Sequence, residues 1–140
     1  MSNSPDEPKR GAPQVPLSWG DVFDKLTILE IKAQRLTSPQ ALDNVARERA
    51  ALERVVGTLR PEPAGLAALK AELKSINETL WDIENRTRAK EAAKTFDGEF
   101  VELARSVYRN NDRRARIKRA INELLDSELI EKKQYTSYSS

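Results

Sequence analysis

Residues 107–122, VYRNNDRRARIKRAIN, decide the fold. Read as unbroken helix, they complete a long antiparallel hairpin. Read as broken at NND, residues 110–112, they turn the chain back on itself. The apolar residues around them keep a helical rhythm: Phe100, Leu103 and Val107 lead in, and Ile117, Ile121 and Leu124 resume it. Between the two groups, steps of three and four land on Asn110 and Arg114. Asn111 and Lys118 project within about 60° of the same direction at 100° per residue. An apolar seam therefore turns polar for two turns and then apolar again.

The segment before it supplies the facing seam. Leu66, Leu69, Leu73, Ile76, Leu80 and Ile83 repeat in strict steps of three and four, the pattern of coiled-coil-like packing. This third helix is expected from about Ala64 to Lys94. Its seam fades at Thr87 and Lys90. TFDG, residues 95–98, makes the turn, with Asp97 or Thr95 able to cap the fourth helix. Centring the hairpin there places Asn110 opposite Ile83, and Arg114 opposite Thr79 and Leu80. Asn77, Trp81, Glu84 and Arg88 run beside that seam, so Glu84 and Asn77 are the groups expected within reach of Asn110, Arg114 and Lys118. An arginine in a seam needs a counter-charge, because an unpaired buried cation costs several kcal/mol.

Working outward, SWGDVFDKLTILEIKAQRL opens the first helix, with Ser18 as its cap and Asp21 three residues on. Val22, Leu26, Leu29, Ala33 and Leu36 share one face, and Ile28 and Ile31 fall on a nearly opposite one. Two apolar stripes predict a central helix that touches two neighbours. Asp24 and Arg35 flank the second stripe. Ser38 and Pro39 start a second helix running to about Leu59, with Leu42, Val45, Leu52, Val56 and Leu59 on one face and Arg49 at the skipped place. The short connection makes these two helices antiparallel neighbours. RPEPAG, residues 60–65, breaks the chain before the third helix. The fold class is all-α: four helices in two antiparallel hairpins, the second long and coiled-coil-like. Residues 1–16, with four of the seven prolines, read as a disordered arm. A single helical domain is expected over 17–135, with fraying after Tyr135 and a loose tail at 136–140.

Composition narrows the chemistry. Of the 140 residues, 33% are charged and 39% apolar, and the net charge is +2, too small to imply a polyanionic partner by itself. There is no Cys and no His, which removes thiol nucleophiles, disulfides, zinc sites built on either residue, and the histidine of a Ser-His-Asp triad. No cofactor and no metal site is expected. The amino-terminal residues lack the apolar core of a signal peptide, and no apolar run approaches membrane length, so a cytoplasmic location is expected.

Three readings of the polar window compete. It is a buried layer that sets hairpin register, as a seam Asn does in coiled coils. It is a helix break, with Asp112 capping a new segment. Or it is a pocket for an anionic metabolite, phosphorylated or carboxylated, formed by Asn77, Glu84, Asn110, Asn111, Arg114 and Lys118 with Trp81 and Tyr108 as an aromatic wall. Trp81 and Tyr108 also fit ordinary core positions. The residue types leave enzymatic activity undecided.

Arg105, Arg109, Arg113 and Arg116 form a basic stripe on the outer face of the fourth helix. Glu102 and Glu123 at its two ends, and the absence of interleaved aromatic residues, weigh against nucleic acid. EFVE at 99–102 and ELLD at 123–126 match the spacing of all-helical nucleotide pyrophosphohydrolases. In one unbroken helix Glu102 and Glu123 stand about 30 Å apart and share no ion, so that match requires the break at NND. Helical mutases that hold dicarboxylates with Arg, Lys and Glu use similar residue types, without a local motif to link them to this chain.

Four segments read together, GDVFDKLTILEIKAQRL, LKSINETLWDIENRTRAKE, FVELARSVYRNNDRRARIKRAINELL and SELIEKKQY, resemble a family of small bacterial proteins known as a domain of unknown function. The resemblance covers residues 17 to about 135. It implies a bacterial, cytoplasmic origin and a loose association with surface-glycan gene neighbourhoods; it implies no catalytic residue. The expectation drawn from all of this is a helical binding or assembly module that forms a homo-oligomer, because two apolar stripes and a long hairpin leave more apolar surface than one small bundle hides.

Overall fold

The computed structural model describes residues 10–127, 129 and 135–138. They form four helices: α1 (Trp19–Arg35), α2 (Pro39–Val56), α3 (Leu66–Ala92) and α4 (Gly98–Leu124). There is no strand among the described residues. Residues 10–17 are exposed and carry no helix; residues 1–9, most of the expected disordered arm, lie outside the described residues, as do 139 and 140 of the expected tail.

Each boundary has a local cause. The Ser18 hydroxyl accepts the Asp21 N–H at 3.1 Å and starts α1. Ser38 accepts the Ala41 N–H, with Pro39 at the first helical position of α2, where its missing N–H costs nothing. Gly65, at φ 92°, supplies the left-handed residue before α3. At the hairpin turn, Lys94 takes φ 53° and the Thr95 N–H returns to the Lys90 carbonyl at 2.9 Å. Asp97 then caps α4 through the Phe100 N–H at 3.1 Å. Asp97 is thus the cap, of the two candidates TFDG offered.

α4 ends with its last seam residue, and the loss of periodicity expected over 127–140 falls largely outside the described residues. It ends at Leu124 because Asp126 adopts φ 49°, while the Ser127 N–H bonds to the Asn122 carbonyl at 2.8 Å and the Asp126 N–H to the Glu123 carbonyl at 3.3 Å. This pair of bonds satisfies the last carbonyls and turns the chain out of the helix.

α1 is central, as its two apolar stripes require: it packs against α2, α3 and α4, and α3 packs on α4. It runs alongside α3 and antiparallel to α4. The core lies where these three meet, in Phe23 and Leu26 of α1, Leu66, Leu73 and Ile76 of α3, and Ile117 and Ile121 of α4. Trp19, Leu52, Val56 and Leu59 close it from the sides. α3, with 27 residues, is about 40 Å long, against about 25 Å for α1. The distal end of the α3–α4 hairpin therefore projects as a two-helix arm. Its seam position Lys90 is answered by Asp97 at 2.9 Å and Glu99 at 3.2 Å, and Phe96 meets Phe100 edge to face at 5.2 Å.

Phe23 is fully buried at the centre of this junction. Phe23→Ala is expected to lower the unfolding free energy by about 3–5 kcal/mol, read as a lower urea midpoint with an unchanged denaturant slope.

Candidate functional site

The sequence places the candidate window between α3 and α4. Its charges are answered from α1. Three rungs run along the α1–α4 contact. In the first, Gly20 lets the two backbones touch: a Cβ there would lie 2.6 Å from the Lys118 carbonyl oxygen. Its N–H donates to Asn122 Oδ1 at 2.7 Å, and the Trp19 N–H donates to Ser127 Oγ at 3.2 Å, so two of the unpaired donors at the start of α1 are satisfied by α4 and the turn after it. In the second rung Lys118 Nζ meets Asp21 Oδ1 at 2.8 Å.

The third rung carries a buried charge. Asp24 is 5% exposed. Arg114 grips it with two nitrogens: Nε donates to Oδ1 at 2.8 Å and a terminal nitrogen donates to Oδ2. Asn77 Nδ2 from α3 donates to the same Oδ1 at 3.0 Å and to Thr27 Oγ1 at 2.9 Å. The Thr27 hydroxyl donates to the Asp24 backbone carbonyl at 2.8 Å. The buried carboxylate thus receives three side-chain donors from two other helices, which is what a desolvated anion requires.

Burial pushes the Asp21 carboxyl up, but the hydrogen bond and charge of Lys118, the Ser18 hydroxyl and the charge of Lys25 outweigh it and hold the group below the ordinary aspartate value.

The structure divides the eight candidate residues. Asn77, Arg114 and Lys118 come together, joined by Asp21, Asp24 and Thr27. Asn110 is half-buried and donates to the Ser106 carbonyl of its own helix at 2.8 Å; Asn111 is exposed. Glu84, expected to balance Arg114, is exposed and accepts from Arg88 Nε at 2.7 Å. Trp81 is half-buried beneath the Arg35 guanidinium, 6.0 Å from its ring centre. Tyr108 is 61% exposed, so it is not a core residue, and its ring meets Tyr138 at 6.3 Å. The sequence signal that pointed to Asp24 was its place beside the second apolar stripe of α1. Hairpin register relates Arg114 only to α3 and so does not single Asp24 out.

NND does not break the chain: residues 107–122 lie inside continuous α4. A side-chain amide that bonds four residues back within the same helix, as Asn110 does, is compatible with an unbroken turn. Glu102 and Glu123 therefore stay at opposite ends of one helix. Among the described residues no group of three or more Asp or Glu is placed to hold a metal ion.

Two outcomes test this assignment. Arg114→Met strands a buried carboxylate and is expected to cost about 3 kcal/mol, the low end for a broken buried pair because the guanidinium keeps some water. Adding Asp24→Leu should recover much of that loss in a double-mutant cycle by chemical unfolding. The depressed Asp21 pKa makes its contribution fully present above the unfolded aspartate pKa, and it disappears as pH falls through the lower folded value. The stability difference between wild type and Asp21→Asn should accordingly shrink in acid, below about pH 4, when melting is followed against pH.

No curated protein and no solved structure matches this chain. A family profile does match, over residues 13–140, a wider span than the four segments cover. The chain belongs to the family of unknown function DUF6165.

Proposed function

We propose that this chain is a non-enzymatic helical assembly module that pairs with a second copy of itself in the cytoplasm. The observation that carries the reading is the state of α2. It has 18 residues, packs against α1 alone, and buries only Val45. An amphipathic helix holds its place by burying its apolar face, and on that face of α2 only Val45 is fully buried while Leu42, Leu52 and Val56 are half-buried.

An open groove along the α1–α2 contact is lined by Ala33, Leu42, Val45, Ala46 and Ala50, with the Arg49–Glu53 ion pair (2.9 Å) on its rim. At the other end of the molecule, Phe96 and Val101 of the hairpin arm are also half-exposed or more. Covering such surface is the ordinary use of a second subunit. The polar layer supports the same reading over an anionic metabolite. Arg114 and Lys118 each already face a carboxylate of α1, so an external anion would have to displace Asp24 or Asp21.

Light scattering on a sizing column is expected to give twice the chain mass at micromolar concentration. Ala50→Glu, at an exposed position in the groove, is expected to give a monomer with nearly unchanged helicity. A wild-type chain that elutes as a monomer at every concentration sinks the proposal.

A further inference from the structure

The outer face of α4 turns away from α1 and takes no part in the polar layer. Residues 105–119 carry seven cations and one acid. Arg114 and Lys118 are drawn inward to Asp24 and Asp21. Arg105 pairs with Glu102 at 2.8 Å, and Arg109 is 4.0 Å from the same carboxylate. Arg113 and Arg116 are exposed and make no ion pair among the described residues. At 1.5 Å per residue, Arg109, Arg113 and Arg116 follow one another by about 6 and 4.5 Å along the helix.

The stripe holds one aromatic residue in sequence, Tyr108 beside Arg109, and the tertiary structure brings a second ring to it. The carboxy-terminal segment lays Tyr138 against α4. Its hydroxyl donates to Asp112 Oδ2 at 2.6 Å, engaging the one acid of the stretch, and its ring meets Tyr108 at 6.3 Å and 44°. The hydrogen bond to Asp112 pushes the Tyr138 phenol above its ordinary value, and the charges of Arg109 and Arg116 oppose that shift. Tyr108 and Tyr138 are 61% and 49% exposed. Exposed rings flanked by guanidiniums form the arrangement on which unpaired bases stack while their phosphates meet the cations.

We infer that this face binds single-stranded nucleic acid, with Arg109, Arg113 and Arg116 on phosphates and Tyr108 and Tyr138 on bases. Base-paired strands present no free ring faces to the tyrosines, so the surface selects single strands. Glu102 and Glu123, at the two ends of the stripe, limit the contact to a few nucleotides. The inference does not rest on self-association, whose test residue, Ala50, lies in the α1–α2 groove.

The test is fluorescence anisotropy with a labelled single strand of about 12 nucleotides, as DNA and as RNA, titrated over a range of salt. Binding is expected to weaken with salt, log K falling with a slope of about −2 for three phosphate contacts. Arg113→Ala with Arg116→Ala should flatten that slope to about −0.7. Tyr108→Ala should weaken binding by about tenfold without changing the slope, and Tyr108→Phe should retain it. All these positions are exposed, and an unchanged melting temperature checks that each variant is folded. Three results overturn the inference: no binding at low salt, equal binding of a duplex of the same sequence, or binding of strand and heparin alike with no effect of Tyr108→Ala. Oligomeric state is read separately by light scattering, so failure here and failure of the assembly reading are distinct.

Discussion

Asp24 sits in the wall between three helices, and a carboxylate in that position dictates what surrounds it. Removed from water, it needs donors on both oxygens and a nearby positive charge. Arg114 brings the charge from α4 and Asn77 brings a further donor from α3, while Thr27 joins the network from the next turn of α1. The bond set is directional. Sliding α1 by one turn along the hairpin would separate the carboxylate from the guanidinium and leave both partly buried without partners. Apolar contacts between Leu and Ile side chains tolerate such a slip far better, because dispersion and burial have little directional preference. The polar layer thus sets the register of α1 in the groove of the α3–α4 hairpin, and the core of Phe23, Leu73 and Ile121 supplies the burial that holds it there.

The same register explains features that look unrelated in sequence. Gly20 is required because α1 and α4 approach most closely at their ends, where the Lys118 carbonyl leaves no space for a methyl group. Asn122 and Ser127 are where they are because the amino terminus of α1 has donors to satisfy. Lys118 lies one turn beyond Arg114 on the same face and meets Asp21, one turn before Asp24. Polar residues in the α4 seam therefore serve the neighbouring α1 rather than the facing α3 alone. The departure from apolar rhythm at residues 110–118 marks a three-helix junction.

Splitting α4 by face also separates two kinds of charge. The inward cations are neutralised within the chain and hold the architecture together. The outward arginines lie on the solvent side beside Tyr108, and the carboxy-terminal segment adds Tyr138 as a second ring. Composition weighed all of them together as one basic run. Their energetic roles differ because one set is desolvated and paired, and the other is exposed and screened by salt.

Local chemistry was enough to read the helices from the sequence. Ser18, Ser38 and Asp97 cap because a side-chain oxygen can reach an amide three residues on, and Leu66 to Ile83 form a seam because helical geometry returns every third and fourth residue to one side. The central position of α1 followed from its two apolar stripes. The seam showed where α4 ends but not how, because the turn depends on Asp126 entering a left-handed conformation and on Ser127 being held at the start of α1. The partner of Arg114 was not legible either. Hairpin symmetry relates α3 to α4 through a short turn, but nothing local relates residue 114 to residue 24, whose separation in sequence is bridged only when α1 docks. The sequence by itself determined four helices, the caps of the first two and the need for a counter-charge. Only the tertiary structure decided that Asp24 answers that need and that Tyr138 joins Tyr108, because both depend on contacts between distant segments that no local periodicity encodes.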